Sequence, residues 1–392
     1  MEFYLQQGHG MLSLNKEFVD SNPNTGVILS PRNCKREQLE RHASELKKKN
    51  ASLLFDPQFY QPRTERENIL NYPYWDNLSF STVGFASNGA KKLCEGVIRY
   101  QVEVLGVSKV ILPGRYTNAL TEEWLESQYI FSQTADTMGV EQPIYITLAL
   151  GPDIVSERQN FDRILNEVVE YPVDGVYVVL MPPKGEFLVT NESYIYNLLD
   201  AFLSLSLAGK KIILGYANQQ CLIYAGAGVE GIATGNYRNV RSFNPDTFDI
   251  QEKDFKQRAV WYYDADTLSE FRPETLGLAY QRGLKGNFGP TNEYSIDLLN
   301  ADNPASIPWG EKLAFRHYLT EINRQWLSFD ELSRNQRINK SIKLLEEAQQ
   351  KLLSLVDKGF RPGERSFMNA FDPTLNALFA FKSDRQSQIS ML

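Results

Sequence analysis

The chain reads as an α/β protein, a (β/α)8 barrel with a C-terminal, mostly helical domain. Three observations predict it. Short apolar runs rich in β-branched residues recur about eight times, each followed by a helical stretch, and that alternation calls for a parallel sheet with right-handed crossovers. The runs are apolar on both faces, as strands covered by helices are. After Pro245 the rhythm changes, and from Trp309 the pattern is helical almost to the end. The expected division is therefore 1–244 for the barrel and 245–392 for the helical extension. A doubly wound open sheet is the rival. It ranks second because the first turn lacks a GxGxxG and eight units close naturally.

The elements follow in order. Residues 3–7 form the first strand and 12–19 a short helix, stopped by turn residues between Ser21 and Gly26. Residues 27–30 are the second strand. The charged helix at 35–49 has the solvated outer face expected of a barrel helix. The third strand, 51–55, ends at Asp56-Pro57. A long connection with Tyr72, Tyr74 and Trp75 follows, and its length favours a lid or binding loop. Residues 88–105 are helical, 109–112 the fourth strand, and 121–137 a helix with a capping start at Thr121. Strands at 144–150 and 175–181 flank a helix at 157–169, and 194–207 is an apolar helix. The last units are a strand at 211–215, a short helix at 219–227 ended by Gly228, and a strand at 229–233. The loop after it carries Arg238 and Arg241. Beyond it, 255–268 contains Arg258 and the aromatic run Trp261-Tyr262-Tyr263, and 277–289 reads as a glycine-punctuated connection. Helices are expected at 311–327 and 330–355, with Trp326, Leu327 and Phe329 in the core.

Composition narrows the function classes. The 392 residues are 42% hydrophobic and 23% charged, ordinary for a globular protein. The net charge of −7 gives no global basic field for nucleic acid. From Trp309 onward thirteen Lys and Arg face ten Asp and Glu, so the tail carries +3 and the remainder −10. Cys34, Cys94 and Cys221 are sparse and far apart, as reduced thiols of a cytoplasmic protein are. With no CxxC pair and only His9, His42 and His317, a zinc site is not expected. No motif calls for a cofactor. The N-terminus has neither the basic start nor the apolar core of a signal peptide, and no run approaches a membrane span.

In such a barrel, functional side chains gather at the carboxyl ends of the strands. The candidates there are His9, Arg32, Asp56, Gln58, Tyr60, Arg115, Asn218, Asn236, Arg238 and Arg241. Asp56 can act as general acid or base, or hold the amino edge of a pyrimidine. Its plainer role is to cap the next turn or to pair with Arg32 or Arg115. His9 is a candidate general base; a lone histidine after a strand also makes structural hydrogen bonds. Arg238 and Arg241 present planar donors suited to a phosphate, or pair with acidic residues of the C-terminal segment. Tyr72, Tyr74 and Trp75 can stack a base or sugar, or bury their own loop. Paired carboxylates for glycoside hydrolysis and a glycine-flanked serine elbow are both wanting.

The opening Phe3-Tyr4-Leu5 with His9, the run Val27 to Arg32, and Leu53 to Phe59 around Asp56 resemble the tRNA-guanine transglycosylases and the related DNA 7-deazaguanine transglycosylases. Gly215 to Arg241 resembles the glycine-rich seventh unit of that family and its trailing arginine. The resemblance implies a (β/α)8 barrel acting on or binding a nucleobase, nucleotide or nucleic acid, with base exchange as the reaction class and Asp56 as the general acid/base. Two glycines that follow this aspartate in the family are absent here. The family's nucleophilic aspartate falls near Ala233 or Thr234, and its zinc cysteines are missing. The alternative is a catalytically inactive barrel, a scaffold whose helical tail docks a protein or nucleic-acid partner.

Overall fold

The computed structural model describes residues 1–61, 67–75, 85–248, 259–289 and 291–390; Arg258 lies outside them. Its strands are β1 (Glu2–Gln6), β2 (Thr25–Leu29), β3 (Ser52–Phe55), β4 (Val110–Ile111), β5 (Tyr116–Thr117), β6 (Ile144–Leu150), β7 (Gly175–Leu180), β8 (Lys211–Leu214) and β9 (Gly231–Thr234). They pair in parallel in the order β3-β2-β1-β9-β8-β7-β6-β4, with β5 also on β6. β4 and β5 are two pieces of one stave: Val110 lies opposite Ile144 and Tyr116 opposite Ala149 on the same neighbour. Pro113 lies between them and has no N–H to give the ladder. The seam between β3 and β4 is bridged where Ser108 N–H donates to the Leu53 carbonyl at 2.8 Å. Eight staves thus form a nearly closed barrel, the expected fold class.

Large rings set against glycines fill the barrel. A Cβ on Gly26 would stand 2.3 Å from the Tyr4 ring, one on Gly175 would stand 2.7 Å from the Tyr145 ring, and one on Gly215 would stand 2.5 Å from the Tyr177 hydroxyl. All three tyrosines are at most 2% exposed. At the amino end of the barrel, Lys109 Nζ donates to Glu2 at 2.5 Å and to the Tyr4 hydroxyl at 2.9 Å. The interior is therefore a packed core, as in other barrels of this size.

Helices Leu12–Ser21, Arg36–Lys47, Ala90–Arg99, Glu122–Met138, Arg158–Glu170 and Glu192–Leu207 cover the strands. The Thr121 hydroxyl accepts from Trp124 N–H, as the capping start predicts. Residues Gln219–Ala227 are helical over the expected span, but as a 3₁₀ helix. Their small residues let the C-terminal helix Arg334–Asp357 approach closely: a Cβ on Gly226 would stand 2.5 Å from Ile338 Cγ1.

Helix Glu311–Leu327 takes the place of an eighth barrel helix. Its Trp326 indole donates to the Glu2 carbonyl at 2.8 Å, at the start of β1. Its Tyr318 hydroxyl lies 3.4 Å from Thr234 Oγ1, at the end of β9. Arg316 pairs with Glu17 of the first helix. Residues 235–310 thus stand between the last strand and the helix that covers it. Within them Tyr262–Asp264 and Ser269–Phe271 form an antiparallel hairpin.

Three local expectations are corrected. The stretch read as a connection from 277 begins inside a helix, Pro273–Gln281, whose proline occupies the first turn. The helix expected from 330 starts at Arg334, because Ser333 and Gln336 form a capping box. Trp326 and Phe329 are fully buried, but Leu327 is 41% exposed.

Candidate functional site

The site forms where β3 runs out. A residue before proline is held extended, so Asp56 continues the strand and its side chain stays among the barrel interior. Pro57 then starts a turn. Asp56 Oδ1 accepts the Gln58 N–H at 2.9 Å, the Asx turn that an aspartate two residues back favours. Asp56 Oδ2 accepts three tyrosine hydroxyls: Tyr60 at 2.8 Å, Tyr216 at 3.2 Å and Tyr177 at 3.3 Å. Residues from β3, β7 and the loop after β8 therefore meet on one carboxylate. Asp56 is 1% exposed. Burial pushes its pKa up to about 6; the hydrogen bonds from Tyr60, the Gln58 amide, Tyr216 and Tyr177 hold it from going higher. Burial pushes the phenols of Tyr60, Tyr177 and Tyr216 well above their usual value, with the Asp56 charge as the next cause.

The backbone here is strained. Gln58 has φ 55° and Tyr216 φ 54°, a left-handed conformation that costs a side-chain-bearing residue on the order of 1–3 kcal/mol and concentrates at functional sites. The two residues hold each other, since Gln58 Nε2 donates to the Tyr216 hydroxyl at 3.0 Å. Gln58 Oε1 also accepts the Arg32 N–H at 3.0 Å. At the end of β1, Gln6 Oε1 lies 3.0 Å from the Tyr177 hydroxyl, whose single hydrogen it shares with Asp56 Oδ2, while Gln6 Nε2, fully buried, has no partner. An unsatisfied buried donor costs roughly 1–3 kcal/mol.

Aromatic rings close the mouth above the carboxylate. The Phe243 and Phe248 rings lie 4.8 and 4.9 Å from Tyr60, and Phe243 lies 5.4 Å from Tyr216. The Arg32 guanidinium lies 5.3 Å from the Phe248 ring centre. A hollow of about 60 Å³ opens beside this cluster, lined by Tyr216, Leu214, Tyr194 and Cys221 among others. Asp56 does not line it.

Of the residues expected to share the mouth, Asp56, Gln58 and Tyr60 meet directly and Arg32 joins through Gln58. The others go elsewhere. His9 is exposed, and its carbonyl accepts from Asn236 Nδ2 at 3.0 Å. Arg115 pairs with Glu123 at 3.3 Å. Asn218 caps the 3₁₀ helix through Gln220 N–H and donates to the Phe187 carbonyl. Arg238 donates to the Gly185 carbonyl at 2.8 Å. Arg241 is 5% exposed and donates to Glu270, Gly235 O and Asn236 O, with its guanidinium 3.4 Å from the Tyr318 ring centre. This is the acidic partner in the C-terminal segment that the sequence offered as the alternative to phosphate. Tyr72, Tyr74 and Trp75 are buried, and Tyr72 and Tyr74 pack on Phe55 and Tyr100. Tyr177, Tyr216 and Gln6 complete the site. Gln6 and Tyr216 stand at strand ends, where the barrel rule looks. Tyr177 stands within β7, and only its interior register brings it to Asp56.

On β9, Ala233 and Thr234 stand where the resemblance would put a nucleophile, and the Thr234 hydroxyl is turned to Tyr318. Among the described residues no group of three or more His, Cys, Asp or Glu is placed to hold a metal ion, and no helix is long and apolar enough to cross a membrane. No protein-family model matches the chain, and no curated protein matches it.

Proposed function

We propose that the barrel mouth binds the hydrogen-bonding edge of a planar nucleobase, free or in a nucleotide, with Asp56 as its central acceptor. The observation that carries this reading is the convergence of two strained residues, Gln58 and Tyr216, on one buried carboxylate. Strain of that kind persists where the surroundings fix it, and it gathers at binding and catalytic sites. A carboxyl group with a pKa near 6 can also give or take a proton close to neutrality. Gln6 Nε2 supplies a donor that a ring carbonyl or ring nitrogen would satisfy. Phe243, Phe248 and Tyr60 pack on one another over the carboxylate, and on parting they would offer aromatic faces to a flat ring. In this reading the chain is transglycosylase-like in its barrel and in Asp56. It does not form a covalent glycosyl intermediate on β9, because neither alanine nor threonine supplies a carboxylate there.

Isothermal titration of purine and pyrimidine bases and their nucleotides tests this. Wild type is expected to bind at least one of them, and Asp56→Asn to bind it about tenfold or more weakly, the cost of a lost charge-assisted hydrogen bond. Absence of binding to every base, or equal binding by the variant, removes the proposal. A second reading is favoured by the absence of a carboxylate at Ala233 and Thr234 and by the ring-covered mouth: a barrel that has lost its chemistry and serves as a scaffold. Wild type that binds no base, while Asp56→Asn leaves an assembly's activity unchanged, fits that reading.

A further inference from the structure

The hollow of about 60 Å³ beside Tyr216 lies outside the barrel interior. Side chains alternate along a strand, and Tyr177 faces the interior, so its neighbour Val178, and with it Leu180, faces the covering helices. Leu214 stands opposite Val178 and faces the same way. Leu180 and Leu214 line the hollow from the sheet, Leu198 from the helix Glu192–Leu207, and Phe187 and Val189 from the loop after β7. That loop is pinned. Asn218 Nδ2 donates to the Phe187 carbonyl at 2.7 Å, while the Gln220 amide accepts from Val189 N–H at 2.7 Å and donates to the Val189 carbonyl at 2.8 Å.

Most polar side chains on the lining are already committed. Asn218 and Gln220 hold the loop, Arg241 is held by Glu270, Tyr216 donates to Asp56, and the Tyr194 hydroxyl donates to the Met181 carbonyl at 3.2 Å. Tyr224 differs. It is 5% exposed, and among the described residues its hydroxyl has no hydrogen-bond partner. Burial raises its phenol well above the usual value, with Cys221 and Tyr194 of the same lining as the next causes. These neighbours put the hydroxyl at the hollow. A buried hydroxyl is costly without a partner, and a ligand oxygen there would supply one. Cys221 beside it is half-buried, and burial pushes its thiol up to about 12, so it adds no charge. A water takes up about 10–15 Å³ of such a volume, so the hollow has room for on the order of four or five non-hydrogen atoms. Buried waters need roughly two to four polar partners each, and the side chains of this lining leave only Tyr224, Ser242 and Cys221 uncommitted. The walls suit an apolar occupant instead.

We propose that this hollow, between the sheet and the helix Glu192–Leu207, binds a small neutral molecule that is apolar except for one oxygen accepting from the Tyr224 hydroxyl. It stands apart from the base-binding reading of Asp56 and does not depend on it. The test uses butanone, a neutral carbonyl compound of that size, titrated against the full chain by saturation-transfer NMR. Saturable binding is expected, with a Kd on the order of 1 mM for so few atoms. Tyr224→Phe is expected to bind about fivefold more weakly, the effect of one neutral hydrogen bond, while keeping the wild-type thermal transition. Cys221→Leu fills the hollow and, folded, is expected to show no saturable binding. Butyrate, a charged molecule of similar length, is expected not to compete. Base binding is expected to be the same in Tyr224→Phe as in wild type, so failure here and failure at Asp56 are read separately. The proposal is overturned if wild type shows no saturable binding of butanone, or if butyrate displaces it at butanone's own concentration. It is equally overturned if Tyr224→Phe, or folded Cys221→Leu, binds butanone with wild-type affinity.

Discussion

Asp56 is one carboxylate with four donors and almost no contact with water. Burial raises its folded pKa from 3.8 to about 6, so the folded protein prefers the protonated form more than the unfolded chain does. The sign follows: the contribution of Asp56 to stability is most favourable below pH 4 and is lost as pH rises through 6. Two pKa units correspond to roughly 3 kcal/mol. Urea unfolding across pH 3.5 to 7.5 should show the difference between wild type and Asp56→Asn moving in favour of the variant by about that amount. A constant difference would mean that Asp56 titrates normally and the cage is misread. Asp264 is also buried and raised to about 6, and it cancels in that comparison. Asp56 was legible in the sequence because it follows a strand and precedes a proline. The left-handed backbone of Gln58 and Tyr216 was not, since no glycine or asparagine marks either position. The arginines were legible as anion binders by residue type, yet type alone does not show that Arg241 is spent on Glu270.

At the scale of elements, the strands were legible because each is a compact apolar run with both faces covered. Their order and parallel pairing followed from the alternation alone. The split fourth stave was not foreseen, although Pro113 was visible; what decides it is that β5 resumes on the same neighbour, β6. The hairpin Tyr262–Asp264 with Ser269–Phe271 was also missed, because three-residue strands are too short to show a period. The pairing of interior tyrosines with glycines gives a direct test of barrel packing. Gly215→Ala would put a methyl 2.5 Å from the Tyr177 hydroxyl, and overpacking of that kind costs about 1–3 kcal/mol. A lowered midpoint in urea, together with weaker base binding through the displaced Tyr177, is expected; unchanged stability would show that the ring has room to move.

For the whole molecule, the helical character of the C-terminal third was legible, and its first helix was read with the observed bounds. Its position was not, because no local pattern tells a helix of a separate domain from one that closes a barrel. Glu311–Leu327 buries Tyr318, Leu319, Ile322 and Trp326 and spans from the start of β1 to the end of β9. A chain ending at Pro308 would expose that seam. We expect it to lose the cooperative transition in scanning calorimetry, and a truncated chain with a sharp transition and unchanged near-ultraviolet dichroism would contradict this packing. In the described part of the chain between β9 and that helix, Phe243 and Phe248 pack on Tyr60 beside Asp56, while Glu270 and Trp261 hold Arg241 and Arg365. The rings that cover the Asp56 cluster thus come from chain inserted between the last strand and its covering helix.

The most direct measurement of the central claim is the affinity of the best-bound base at pH 5 and at pH 8, in wild type and in Asp56→Asn. If the ionised carboxylate holds the base, wild type binds more tightly at pH 8, the change is centred near pH 6, and the variant shows no such change. Affinity that is independent of pH in wild type, or a pH dependence that survives in Asp56→Asn, would contradict a binding site built on Asp56.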